Sequence, residues 1–183
     1  MKLINIIPNT IYHYSRGLPF LSITNVPDNQ RLKVIENLNE SNTWGVNRFS
    51  DSAYLKQRFE TEIQLRKFFI KKGGKPLLKH PIYFFLGRNF KFEEHQANKA
   101  YKINLDNICK STISFTYGDS MIAFNKVHRS NSGLKYQNPL CGKIFTFEDL
   151  NQIYTSLNYP NHDPLHIEAQ LWIKPEMNIV EIC

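Results

Sequence analysis

Residues 51–72 constrain this chain more than any other stretch. Leu55, Phe59 and Ile63 recur every four residues, with Phe69 beyond, the repeat of a helix with one apolar stripe. Ser50 or Asp51 can cap its start, and Arg58–Glu62 and Glu62–Arg66 form i,i+4 pairs on its flank. Gly73-Gly74 stops it as a left-handed cap would. Around this helix the chain reads as short strands. Ile11 to Ser15 is β-prone and ends at Arg16-Gly17. Ile82 to Leu86 is an apolar run of strand length ended by Gly87. Ala100 to Leu105 and Thr112 to Thr116 follow, the latter running into the turn Tyr117-Gly118-Asp119. His166 to Ile173 alternates with period two: Ile167, Ala169, Leu171 and Ile173 share one face, His166, Glu168, Gln170 and Trp172 the other. A last strand covers Asn178 to Ile182. Further helices are expected at 30–39, on Leu32, Ile35 and Leu38, and from Thr146, where Asp149 completes a capping-box-like pair, through Leu150, Ile153, Tyr154 and Leu157. Separated strands with helices inserted early and late give an α+β class.

At 183 residues the chain is expected to be a single domain, 1–183. A hydrophobic fraction of 42% and an aromatic fraction of 13% exclude a disordered chain. No apolar run approaches the ~20 residues of a membrane helix. Met1-Lys2-Leu3-Ile4-Asn5 makes a poor secretion signal, so a cytoplasmic location is expected. Cys109, Cys141 and Cys183 are odd in number and far apart, which argues against a disulfide framework. The net charge of +7 is unevenly spread: residues 56–91 hold ten basic and two acidic side chains, while 92–183 is net negative. A basic window confined to one element suits a polyanion, or a solvated helix face with a lysine-rich loop.

There is no P-loop, no G-x-G-x-x-G, no H-E-x-x-H and no G-x-S-x-G. His162 and His166 have a helical metal spacing, but the neighbouring prolines forbid a regular helix, so they read as loop residues and no metal site is expected. What remains is polar residues on strands: His13, Tyr83 and Glu168. Each alone reads more readily as core, packing or solvated face. Their joint occurrence in this order changes the weighting.

That order resembles the ADP-ribosyltransferase fold, and most closely the DarT-type toxins that modify DNA bases. Those proteins open with a strand of type I-Y-H-[FIY]-[TS], matched by Ile11-Tyr12-His13-Tyr14-Ser15. An arginine segment, a glycine pair and a strand of type V-P-F-Y-F follow, matched by Arg66, Gly73-Gly74 and His80-Pro81-Ile82-Tyr83-Phe84. Ala100 to Leu105 with Asp106 stands for the next strand. Ser114 to Met121 is similar to F-T-D-x-[HN]-[AG], with Tyr117 and Gly118 interrupting its T-D. Ile167 to Leu171 matches the final A-E-F-L-V strand with its catalytic glutamate.

The resemblance implies a split, curved β core with inserted helices, lined by the strands at 11–15, 82–86 and 166–173. It implies an NAD-dependent mono-ADP-ribosyltransferase acting on a nucleic-acid base, as the toxin of a bacterial toxin–antitoxin or anti-phage system. Glu168 and Arg66 would be catalytic, with Arg58 or Arg48 as alternative arginines. His13, Tyr14, Ser15, Tyr83 and Phe84 would bind NAD, with His13 on the adenosine ribose and Tyr83 stacked on the nicotinamide. Lys71, Lys72, Lys75, Lys79 and Arg58 would hold single-stranded DNA or RNA, and a cognate antitoxin protein would be a partner. A protein target for the same transfer, a non-catalytic basic nucleic-acid-binding module, and a nuclease, for which no carboxylate pair has a useful spacing, are the competing readings.

Overall fold

The computed structural model describes residues 7–15, 18–40, 46–90, 93, 99–125, 132, 134–151, 153 and 166–182. Within them lie β1 (Thr10–Ser15), α1 (Asp28–Glu40), α2 (Ser52–Lys71), β2 (Ile82–Leu86), β3 (Lys99–Asn104), β4 (Ile113–Tyr117), α3 (Ser120–Phe124), β5 (Ile144–Phe145), β6 (Ile167–Leu171) and β7 (Val180–Ile182). The expected strands and the two early helices are present, giving the α+β class. β5 and α3 are additions. Of the helix expected from Thr146 through Leu157, residues 152 and 154–157 fall outside the described residues, as does His162.

The strands form one antiparallel sheet in the order β5-β4-β6-β2-β1-β3-β7. β6 is therefore central, between β4 and β2. One face of the sheet is the main core: Ile11, Phe84, Ile103, Phe115, Ile167, Ala169 and Leu171 pack with Leu105, Leu150 and Ile153. Burial of each large apolar side chain contributes about 1.5–3 kcal/mol, so this face dominates stability.

The other face receives α2. Asp51 caps the helix by accepting a hydrogen bond from the Ala53 N–H at 2.8 Å. Its inward stripe is Thr61, Glu62, Leu65 and Phe69. Leu65 and Phe69 meet Ile144 and Trp172, with Phe69 stacked on Trp172 at 6.0 Å. Ile63, expected on the apolar stripe, instead points outward and is exposed. The turn at the helix end needs both glycines. Gly73 has φ +89°, and a Cβ on Gly74 would stand 2.5 Å from the Phe69 ring. The loop that follows is held to the end of β6 by the Leu77 and Leu78 N–H groups, both donating to Trp172 O. No described helix is long and apolar enough to cross a membrane.

Candidate functional site

In an antiparallel sheet, residues paired in register point to the same face. Phe85 pairs with both Tyr12 and Glu168, Glu168 with Thr116, and Thr116 with Ile144. One row beyond, Tyr83 pairs with Gln170 and Gln170 with Ser114. Tyr83, Glu168 and Gln170 thus share the face that α2 crosses. The alternation expected for β6 is correct, but its polar side is not solvated: all five of its residues are buried, because the strand is central and covered on both faces.

Glu168 sits at 9% exposure within a directed hydrogen-bond chain. The Trp172 indole N–H donates to Ser114 Oγ at 2.9 Å, and the Ser114 hydroxyl donates to Gln170 Oε1 at 3.0 Å. The Gln170 amide then donates to Thr116 Oγ1 at 2.9 Å and to Glu168 Oε1 at 3.0 Å. An indole can only donate, so the Ser114 proton has one direction left, and that fixes which way the Gln170 amide faces. Burial raises the Glu168 carboxyl from its ordinary 4.5 to about 7, and the nearby Asp119 charge pushes the same way. The Arg58 cation and the Ser120 and Gln170 side chains pull against them.

Arg58 and Glu62 reach the same region from α2. Arg58 Nε donates to Glu62 Oε1 at 2.8 Å, and the Tyr83 hydroxyl donates to the same oxygen at 3.1 Å. The guanidinium lies 3.8 Å over the Tyr83 ring. Glu62, fully buried, also has Oε2 2.8 Å from His80 Nδ1. Burial pushes the Tyr83 hydroxyl well above its usual range, with Arg58 opposing. Beside this charged cluster, Tyr12, Tyr14 and Phe85 form a partly exposed aromatic floor. Tyr12 and Tyr14 stack at 6.2 Å, Tyr14 meets Phe85 at 5.6 Å, and Phe85 meets His166 edge-on at 4.8 Å.

The expected convergence of His13 with Tyr83 and Glu168 is corrected by the register. His13 pairs with Tyr101 and packs on Phe20, Phe84 and Tyr101, all on the core face. Its neighbour Tyr14 points the other way, as strand alternation requires, and Ser15 follows His13. Phe84 is buried on the core face too. Both His13 nitrogens are engaged: Nδ1 donates to Tyr83 O at 2.8 Å, and Nε2 accepts the Phe20 N–H at 3.1 Å. That bond steadies Phe20 in a left-handed conformation, φ +59°, which costs a non-glycine residue about 1 kcal/mol. Burial lowers the His13 pKa against the opposing hydrogen bond to Tyr83, so the ring stays neutral.

Arg66 does not join Glu168. Its guanidinium donates to Leu78 O and Pro76 O, both at 3.3 Å, tying α2 to the following loop. Arg58 is the arginine beside the carboxyl, and it is consumed by Glu62 and Tyr83 instead of facing solvent as a phosphate ligand. Arg48 lies 5.5 Å over Tyr54. Lys72 is ion-paired with Asp149 at 2.7 Å, while Lys71, Lys75 and Lys79 are exposed. Sequence reading missed Glu62 and Gln170. Glu62 shares the helical stripe of Leu65 and Phe69, three and seven residues on, and that spacing was the available signal. Comparison with protein-family models, with characterised proteins and with solved structures finds no match to this chain.

Proposed function

We propose that this chain is an NAD-dependent mono-ADP-ribosyltransferase whose acceptor is a base of single-stranded DNA or RNA, that it acts as a bacterial toxin with a cognate antitoxin, and that its sheet is an ADP-ribosyltransferase-like core. One observation carries the reading: a carboxyl with a pKa of about 7 is locked on a central strand, in register with the partly exposed ring of Phe85 and beside those of Tyr12 and Tyr14. A buried carboxyl with a shifted pKa marks a candidate site, and the aromatic floor beside it offers ring faces for the planar groups of a dinucleotide. The roles differ from those first expected. Tyr14, Tyr12 and Phe85 supply the stacking surface for the planar rings of NAD or of the acceptor. Tyr83, with one ring face under Arg58, positions Arg58 and Glu62 instead of stacking on nicotinamide. Arg58 replaces Arg66 as the cation of the site, and His13 braces the β1–β2 pair.

In the reaction, the bond between the ribose C1′ and the nicotinamide nitrogen breaks, and nicotinamide leaves with the bonding electrons. Ionised Glu168 favours the positive charge developing on the ribose. The acceptor nitrogen or oxygen then bonds to C1′, and its proton passes to Glu168. The carboxyl must be ionised for both tasks, so the rate rises with pH through about 7. Exposed Lys71 and Lys75 hold acceptor phosphates, an attraction that weakens steeply with salt. The test is incubation with labelled NAD and separate DNA, RNA and protein pools, beside a Glu168→Gln control. Label on DNA or RNA, lost in the control, is expected. Label on protein alone moves the target to protein; no label and no nicotinamide release ends the reading.

A further inference from the structure

The outward side of α2 carries a second apolar stripe. Ile63, Arg66, Lys67 and Ile70 lie at i, i+3, i+4 and i+7, and with Leu77 and Lys79 of the following loop they line a concavity of about 580 Å3. Ile63 is 57% exposed, Ile70 46% and Leu77 78%. Single exposed aliphatics are ordinary; three around one concavity mark an interaction surface. The concavity is also built, not incidental. Arg66 ties the helix to Pro76 O and Leu78 O, and the Leu77 and Leu78 amides are anchored on Trp172 O, so Leu77 is presented by a fixed loop. Among the described residues lining it there are three cations and no carboxylate. Neither Lys67 nor Lys79 makes an ion pair among the described residues.

We propose that this surface docks an acidic amphipathic helix of a protein partner. Apolar side chains at i, i+3/i+4 and i+7 of the incoming helix would fill the space between Ile63, Ile70 and Leu77, and its carboxylates would meet Lys67, Lys79 and Arg66, the helix-in-groove mode of recognition. A nucleic acid fits less well. Its phosphates would match the rim, but its bases stack on aromatic rings, and the centre here is wholly aliphatic. The surface lies on the flank of α2 next to the buried stripe, its lining does not include Glu62 or Arg58, and the proposal does not depend on the transferase reading.

The experiment selects a library of helical peptides, varied in charge and apolar spacing, on the full chain, with counter-selection on Ile63→Ser/Ile70→Ser/Leu77→Ser. These side chains are exposed, so the triple variant keeps its far-UV circular dichroism; Leu77→Ser alone is the milder second variant. Enriched sequences are expected to be acidic with apolar residues at helical spacing. Their affinity should fall at least about tenfold in the triple variant, two or three buried aliphatic contacts being more than enough for that loss, with a clear loss also in Leu77→Ser and in Lys67→Glu/Lys79→Glu. Enrichment of neutral or basic peptides, or none over the triple variant, overturns the proposal. So does an oligothymidine that loses affinity in the triple variant as much as the peptides do. The readout is binding without NAD, so a failed transfer assay leaves it standing.

Discussion

The two faces of the sheet handle their polar groups in opposite ways. On the core face His13 stands among aromatic rings with both nitrogens spent on backbone partners, and burial keeps it neutral. On the other face Gln170 bonds Glu168, Arg58 and Tyr83 bond Glu62, the Arg58 cation acts on Glu168 through its charge, and the carboxyl on β6 is held far from its ordinary pKa. A side chain satisfied by main-chain groups fixes a shape. A carboxyl whose ionisation is resisted by burial and by a neighbouring carboxylate is poised to exchange a proton. Histidine and glutamate, both candidates by residue type, are separated by what surrounds them.

The sharpest break of this contrast is a pair of substitutions. Glu168→Gln should lower transfer at least about 100-fold, the scale for losing a positioned acid–base group or charge stabiliser, with an unchanged circular dichroism spectrum. His13→Leu should leave turnover of the folded protein within a few-fold while costing about 1–3 kcal/mol of stability, because the Phe20 N–H and Tyr83 O lose their partner. Denaturant unfolding and transfer assays on both proteins check this. Folded His13→Leu protein as inactive as Glu168→Gln would put His13 back in the NAD site.

The second prediction concerns pH. Between pH 4.5 and about 7 folded Glu168 keeps a proton that the unfolded chain has released, so stability falls as pH rises through that window. The full difference is about 3 kcal/mol, present below the window as stability and lost above it. Glu168→Gln removes this slope, so the variant should gain on wild type from pH 5 to about 7 and the gain should level off above it in urea titrations. A pH-independent gap between the two proteins would show that Glu168 carries no such penalty when ionised.

The limits of the sequence lie in these same residues. The strand at 166–173 and its two faces could be read from alternation, and the end of α2 from its glycine pair. The convergence of His13 with Tyr83 and Glu168 could not, yet alternation already forbids His13 and Tyr14 from sharing a face. Burial of the Glu168 side depends on α2 crossing it, a tertiary fact. The i+4 repeat of Leu55, Phe59 and Ile63 suggested one helix face, whereas the buried stripe runs through Glu62, Leu65 and Phe69. A charged residue within the packed stripe and an isoleucine outside it invert what hydrophobicity alone would assign. The basic window was real as a count, but Arg58, Arg66 and Lys72 are committed to partners within the protein.

A smaller effect sharpens the description of the Glu168 face. Gln170 donates to Glu168 Oε1 and so favours its ionised form. Gln170→Leu removes that donor, and the Glu168 pKa should rise further, by about one unit given the worth of a hydrogen bond to a charged group. The rising limb of the pH–rate profile should move by the same amount, and carboxyl NMR titration should follow it without NAD. A purely structural Gln170 would lower stability and leave both titrations in place.

The smallest expected effect lies three residues along the chain of donors. Trp172 does not touch Glu168, but its indole N–H occupies a Ser114 lone pair and so directs the Ser114 proton to Gln170 Oε1. In Trp172→Phe the Ser114 hydroxyl is free to accept from Gln170 as well as to donate. The amide can then turn its oxygen toward Glu168 whenever that carboxyl is protonated, a geometry the indole disfavours in the wild type by leaving the Ser114 proton without an acceptor. The protonated carboxyl gains an arrangement that the ionised one, repelled by the amide oxygen, does not share. The pKa should therefore rise by only a few tenths of a unit, well below the shift in Gln170→Leu, because the ionised form keeps its amide donor. Titration of Glu168 in the two variants and the double variant measures this directly. A Trp172→Phe shift as large as that of Gln170→Leu, or one that persists undiminished when Gln170 is already leucine, would mean that the indole acts on Glu168 by a route other than Ser114 and Gln170.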